Sequence, residues 1–444
     1  MIDSFGNIFR IPELKRRILF VIGAIFIFRL GAHIPSPGIN THAMNMLVKS
    51  QTGGFLGFYD LFSGGALRNF TVFSLGIMPY ISASIIMQLL TAVIPSLEAL
   101  QKEGEAGRKK ITQYTRYLTV AICAIQSLGI TFWLKTLKVG GMSIVINYNL
   151  VFVITIILTL TGGTIFLMYL GEQMTEYGVG NGMSMLIYAG ILARIPLEIG
   201  RIVELWRSGT ITLFQILFFI AIIVVLTGAA VISQQAHRKI PVQYAQRIVG
   251  RKVYRGQNTQ LPLKIDYSGV IAVIFASAVM IFPVMITKFL SGFGEKNYIL
   301  QNILSWVNNW LSPGNLLYII LYAGLVIFFC YFYTAITFNP TDVADNMKKY
   351  GGFIPGIRPG RPTAEYINNI LTHITLGGAV LVVIIAIIPD FLGAKMNIGM
   401  YFGGTTLLIV VGVALDTIQQ IESHLIMRHY EGFMKTGKIR GRRI

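Results

Sequence analysis

The most suggestive catalytic spacing in these 444 residues is GFMKTGKI at Gly432–Ile439, which has the glycine and lysine positions of a nucleotide phosphate loop. It ends in Ile439, where a hydroxyl must meet magnesium, and it follows an apolar run rather than a strand, so it is not expected to bind nucleotide. Gly178, Gly180 and Gly182 alternate as in a dinucleotide fingerprint, but a tight turn between apolar runs explains them better. The six histidines are His33, His42, His237, His373, His424 and His429, with no HExxH and no carboxylate–histidine cluster. Cys123 and Cys330 lie far apart inside apolar runs, as small packing residues do, rather than as a disulfide or metal pair. Glu172, Glu176, Asp390, Asp416 and Glu422 fall at the ends of apolar runs or between them, and Arg29 can snorkel outward near His33 and Pro35. Charge in hydrocarbon is costly and is kept for function, so its scarcity within the runs argues against a proton relay or a metal centre. No catalytic residue, metal or cofactor is expected. The polar groups left inside the runs are amides such as Gln88 and Gln126. Each reads either as an interhelical hydrogen-bond partner worth about 1 kcal/mol or as a weak latch between helices that must separate.

The elements carrying these residues follow from composition. The chain is 54% hydrophobic and 13% charged, against roughly 25% charged in soluble domains. Apolar runs of about twenty residues, the length that crosses a bilayer, recur from end to end. This excludes a soluble enzyme, a disordered chain and a secreted disulfide scaffold. Ten runs are expected to span, at 18–36, 71–94, 113–133, 149–170, 183–200, 211–233, 268–290, 312–337, 366–388 and 402–422. The basic N-terminus, with Arg10, Lys15, Arg16 and Arg17, mimics a signal peptide, but no small-residue cleavage site follows, so the first run is read as a retained span. Of the 37 Lys and Arg, 26 fall in the alternate segments that include both termini, ten fall in the others, and Arg29 lies within the first run. The excess marks the cytoplasmic side, which puts both termini there. Two long cytoplasmic loops, 234–267 and 338–365, are rich in Arg, Lys, Gly and Pro. They read as membrane-hugging basic loops or as docking fingers for a large soluble partner with an acidic or phosphate-rich face. The stretch Gly53–Asn69, GGFLGFYDLFSGGALRN, is too short to cross and reads equally as a surface loop or a re-entrant helix.

Four segments add a family resemblance. SGGALRNFTVFSLGIMPYISASIIMQLL (63–90), GEQMTEYGVGNGMS (171–184), RIVGRKVYRGQNTQLPLK (247–264) and GGFIPGIRPGRPT (351–363), in that order, resemble the SecY family, the channel subunits of bacterial Sec preprotein translocases. The resemblance extends over essentially the whole chain. It implies an all-α integral membrane protein of the bacterial inner membrane, with ten transmembrane helices in two inverted five-helix halves, 1–200 and 201–444, around an hourglass pore. It implies a plug near 57–69, centred on Phe62, Ser63, Gly64, Gly65, Ala66 and Leu67, which favours the re-entrant reading of that stretch. It implies a pore ring of Ile77, Ile81, Met183, Ile187, Ile274 and Ile409, in which Met183 departs from the usual branched residue. An apolar ring gates by dewetting and demands no particular substrate sequence. It further implies a lateral gate with Gln88, Gln126, Phe282 and Pro283, and a surface for the SecA ATPase and the ribosome at Arg247, Arg251, Lys252, Arg255 and Arg358. The SecE and SecG subunits, preprotein and signal peptide, and membrane lipids are the further partners implied. A ten-span secondary transporter for a small solute is the alternative, but it would need charged mid-membrane binding groups and no docking loops. A membrane-embedded lipid-modifying enzyme would need a catalytic cluster that the sequence lacks.

Overall fold

The computed structural model describes residues 11–50, 55–139, 142–244, 247–249, 252–254, 258–291, 302, 306–307, 310–311, 315–395 and 403–436. Helices dominate it. Six are long and apolar enough to cross a membrane, beginning at Glu105, Leu150, Leu213, Leu316, Arg361 and Gly404. A pair bent by 98°, Met78–Val93 with Pro95–Lys102, makes a seventh when taken as one broken span. Three of the expected runs differ from continuous spans. Residues 71–77 of the run 71–94 form turns rather than helix. The run 183–200 breaks after Leu192 and restarts at Ile195, where Pro196 suits a new helix start and cannot continue the old one. The run 268–290 carries Pro283 inside its helix, which removes the hydrogen bond to the Val279 carbonyl.

The chain divides into two compact units. The first comprises 1–201, 285–305 and 413–444. Its helices are α1 (Pro12–Gly31), α2 (Thr41–Ser50), α3 (Phe55–Phe62), α4 (Met78–Val93), α5 (Pro95–Lys102), α6 (Glu105–Thr136), α7 (Leu150–Tyr177), α8 (Gly182–Leu192) and most of α9 (Ile195–Arg207). A two-stranded ribbon, β1 (Lys138–Val139) with β2 (Met142–Ser143), joins α6 to α7. Helix α1 ends before His33, Pro35 and Pro37, where proline disfavours the helical backbone. Helix α6 packs on α4 and α7, and α7 packs on α8. Their shared core includes Cys123, Leu134, Ile156, Leu160, Leu167 and Met174, all nearly inaccessible. At one end of the pair, Arg116 of α6 donates twice to the Glu172 carboxylate of α7, at 2.9 and 2.8 Å.

The second unit comprises 202–284 and 306–412. It contains α10 (Leu213–Gln235), the strands β3 (His237–Tyr244), β4 (Arg247–Val249), β5 (Lys252–Tyr254) and β6 (Asn258–Lys264), and then α11 (Val270–Ser291) up to Val284. After it come α12 (Leu316–Thr337), α13 (Pro340–Lys349), β7 (Gly352–Phe353), α14 (Arg361–Lys395) and the start of α15 (Gly404–Thr436). The Thr212 hydroxyl and Gln215 amide close a capping box on α10. Helix α14 is the hub, with α10, α12 and α13 packed against it.

Candidate functional site

The segment before α4 is the most heavily tied part of the first unit. Helix α3 ends at Phe62, and residues 63–77 follow as a run of turns. Asp60, fully buried, organises them: its Oδ1 accepts from the Leu67 and Arg68 amides at 3.1 and 3.2 Å, and its carbonyl accepts from Gly65 N at 2.9 Å. Gly64 lies at φ +68°, and a Cβ there would stand 2.9 Å from the Gly190 Cα of α8, so only glycine permits this close approach. Gly163 of α7 similarly leaves room for the Val72 carbonyl, which a Cβ would meet at 2.2 Å. Phe62, Ser63, Ala66 and Leu67 are buried, as is Gly64, whereas Gly65 is half-buried. The Tyr59 hydroxyl donates to the Leu75 carbonyl at 3.2 Å, which fastens the helix to the last turn.

Three arginines converge on this segment. Arg29 Nη1 donates to the Gly64 carbonyl at 2.7 Å. Arg68 and Arg194 are counter-charges to Asp60. Arg68 Nε lies 3.3 Å and Arg194 Nη1 3.2 Å from Asp60 Oδ2. Arg194 is 3% exposed and sits in the break between α8 and α9, where Nη1 also reaches the Gly57 carbonyl at 3.5 Å. Glu198, one turn further on and 6% exposed, stands 3.9 Å from Arg194 Nη2. The expected scarcity of buried ionisable groups therefore fails here. Sequence reasoning missed Arg194 and Glu198 because nothing in an apolar run marks where its helix breaks, apart from the signal of Pro196.

The ring positions fall into separate places. Ile77 caps the N-terminus of α4, and Ile81 follows one turn later; both are buried. Met183 and Ile187 lie one turn apart on α8, whose N-terminus is capped by Asn181 accepting from the Met183 and Ser184 amides. Met183 is half-buried with its sulfur against Gly171 of α7, and Ile187 is buried. Ile274 on α11 and Ile409 on α15 are both buried in the second unit. Of the expected gate residues, Gln88 donates to Ser84 of its own helix at 3.2 Å. Gln126 on α6 is 8% exposed, and its Oε1 has no hydrogen-bond partner among the described residues. Phe282 is half exposed next to Pro283 within α11.

The two basic loops, read separately in the sequence, share one sheet. Strands β3 and β6 pair antiparallel from His237↔Lys264 to Gln243↔Asn258, and β7 joins the other edge of β3 at Gln243↔Phe353 and Tyr244↔Gly352. Strands β4 and β5 form a further ribbon that pairs Arg247 with Tyr254 and Val249 with Lys252. Ile240, Val242, Leu263, Met347, Ile354 and Ile367 close a small core beneath the sheet. Arg358 is exposed at the tip of the turn that leads out of this core, and Thr363 Oγ1 holds its carbonyl at 2.8 Å. Arg247 and Lys252 contribute backbone pairing; Arg251 and Arg255 lie outside the described residues.

Among the described residues, no group of three or more His, Cys, Asp or Glu is arranged to hold a metal ion. The geometry provides a tightly tied segment before α4, buried aliphatic side chains on several helices and a sheet that unites the two basic loops. A family model described as SecY matches residues 71–418. The protein translocase subunit SecY of Escherichia coli (strain K12) is 46% identical over 429 residues, covering 97% of this chain and 96% of that protein. Solved structures share the fold. A structure of a protein conducting channel matches with a TM-score of 0.63 at 18% identity over 93% of each chain. Sec61 in the canine ribosome-channel complex from the endoplasmic reticulum matches with a TM-score of 0.61 at 17% identity, again over 93% of each.

Proposed function

Since this chain belongs to the SecY family, we propose that it is the protein-conducting subunit of a Sec translocase. In that role it passes unfolded preproteins across the bacterial plasma membrane and releases hydrophobic segments sideways into lipid. The full-length likeness to a translocase subunit carries this reading. The chemistry of the chain agrees with it. Ile77, Ile81, Met183, Ile187, Ile274 and Ile409 form the constriction, where apolar side chains resist ions by dewetting yet deform around any polypeptide. Residues 57–69 act as the plug. Helices α4, α6, α11 and α12 supply the lateral gate, with Gln88, Gln126, Phe282 and Pro283 as its residues. Gln126, with its buried unpartnered amide oxygen, serves there as a polar latch, and Pro283 allows α11 to bend. Partitioning through the gate follows hydrophobicity, because about twenty apolar residues favour lipid and a polar stretch does not.

The halves 1–200 and 201–444 are inverted relative to one another within a ten-span topology that keeps both termini cytoplasmic, as the excess of basic residues in alternate segments indicates. The basic loops are the cytoplasmic docking surface, engaged by the SecA ATPase or the ribosome, with Arg247, Arg251, Lys252, Arg255 and Arg358 as its contacts. SecE and SecG complete the complex. The chain acts as a conduit and not as an enzyme, so energy for transport comes from its partners.

The test is a site-specific photo-crosslinker at position 274 in the assembled translocase, with a preprotein stalled partway across. An adduct that forms only with the stalled chain is expected. Absence of adducts from both 274 and 81 would overturn the channel reading, and absence from 274 alone would remove α11 from the ring.

A further inference from the structure

We propose that Arg194 is a positioning residue that fastens the 55–77 segment to the α8–α9 break and thereby sets how strong a signal sequence must be to open the channel. The proposal rests on the channel reading above.

The charges divide between the segment and the helices it rests on. Asp60 and Arg68 belong to the segment, whereas Arg194 and Glu198 belong to the helices behind it. All four meet within 3.2–3.9 Å, and Asp60, Arg194 and Glu198 are buried. Breaking a buried ion pair is normally prohibitive because it strands an uncompensated charge. Here the break between Asp60 and Arg194 leaves two neutral couples. Asp60 departs with Arg68, 3.3 Å away, and Arg194 stays with Glu198, 3.9 Å away. Asp60 also keeps its bonds to the Leu67 and Arg68 amides, which lie in the same segment. Separation gives up the Arg194 contacts with Asp60 and Gly57 and the Arg29 bond to Gly64, and, where residues 70–72 move too, the bonds from Ser36 N to the Phe70 carbonyl and from Val72 N to the Ile34 carbonyl. The cluster is thus strong while closed and leaves no orphaned charge when open, as a reversible catch requires. Gly64 against Gly190 lets the segment seat closely enough for the ion pair to form.

This division predicts opposite effects from different members of one cluster. Arg194→Gln and Asp60→Asn remove the catch and loosen the segment. Glu198→Gln takes away the carboxylate that stays with Arg194, and Arg68→Gln takes away the cation that departs with Asp60. Each of these makes separation costlier and tightens the catch. A purely structural role would impair all four variants alike.

The experiment uses the complete translocase with its motor in proteoliposomes. Two preproteins are compared, one with an intact and one with a weakened signal sequence, together with the ion conductance of the resting channel. Arg194→Gln and Asp60→Asn are expected to raise the weak-to-intact transport ratio about tenfold and to raise resting conductance. Glu198→Gln and Arg68→Gln are expected to lower the ratio by a similar factor. Arg194→Lys keeps the cation and is expected to restore most of the wild-type ratio. The double variant Asp60→Asn with Arg194→Gln removes one charge of each sign, so it tests the loosening without a stranded ion should either single variant fold poorly. Wild-type transport with an unchanged ratio in both Arg194→Gln and the double variant, or a parallel fall in all four single variants, would overturn the catch. A wild-type complex unable to move the intact preprotein would instead overturn the channel reading.

Discussion

Arg358 shows how a single side chain can be fixed by its surroundings and still be free to meet a partner. Gly356 and Gly360, at φ +83° and +107°, shape the turn on either side of it, and Thr363 holds its carbonyl, while the guanidinium remains exposed. Arg358→Glu is therefore expected to reduce SecA-driven transport at least tenfold while changing stability by no more than about 0.5 kcal/mol. Transport rates beside thermal unfolding of the same preparation measure both; an unaltered rate would remove the docking role. Asp266 makes a different case. Its Oδ1 accepts from Ser268 N, Ser268 Oγ and Gly269 N, at 2.9, 2.6 and 2.9 Å, which forms the turn into α11. Burial raises its carboxyl above the usual range in spite of these bonds, and its Oδ2 has no hydrogen-bond partner among the described residues. A raised folded pKa means that stability is fully present below the unfolded value, near pH 4, and is lost as pH rises through the folded one. Unfolding of the wild type and Asp266→Asn, followed as pH rises from about 4, should show a larger loss of stability in the wild type. The two residues differ in legibility. The Gly-Pro frame around Arg358 announces a presented side chain, whereas the Asp60–Arg194 pairing joins distant parts of the chain, and no local pattern reveals it.

At the scale of elements, the basic finger depends on a core that the sequence obscures. Pro241 and Pro262 argue against strands, yet β3 and β6 pair through both. The sheet tolerates Pro241 because the third strand covers only Gln243 and Tyr244, leaving the β3 edge open beside the proline. The long basic loops were readable as projecting fingers, but their union through β7 depends on a two-residue register that no periodicity signals. Ile354, 3% exposed in the small core, anchors the turn that carries Arg358. Ile354→Ala is expected to cost about 2 to 4 kcal/mol within this subdomain and to expose the turn to protease. Limited proteolysis of membranes should then show cleavage near 355–360 increased severalfold while the helices stay intact. Equal cleavage in wild type and variant would show that the core does not hold the turn. Among the spans, long uninterrupted runs such as those of α7 and α10 were legible from hydropathy alone. The fifth run was not, because Ala193 and Arg194 interrupt its helix and apolarity continues on both sides of the break.

At the scale of the whole molecule, the claim most open to test is that aliphatic residues distant in sequence act together as one seal. Composition made the membrane legible, and the ring is a proposal that follows from the family resemblance, but ordinary core packing would account for each isoleucine taken alone. Ile274 and Ile409 are as buried as any core residue. What separates a gasket from a core is the response to a polar group. In a core, Ile274→Asn leaves a buried amide unsatisfied, and the result is lost stability at a cost of about 1 to 3 kcal/mol with no new conductance. In a dewetted constriction the same amide is hydrated by the pore, so stability changes little while the barrier to water and ions falls. Ile274→Asn in the assembled translocase is accordingly expected to raise resting ion conductance and to admit preproteins with weaker signals, with thermal unfolding close to wild type. Conductance and signal selectivity at wild-type levels, together with a clear loss of stability, would return Ile274 to the core. The pairing of this variant with Arg194→Gln adds a further discrimination. Independent action of the seal and the catch predicts that their effects on the closed state add in free energy and that the two factors in transport ratio multiply.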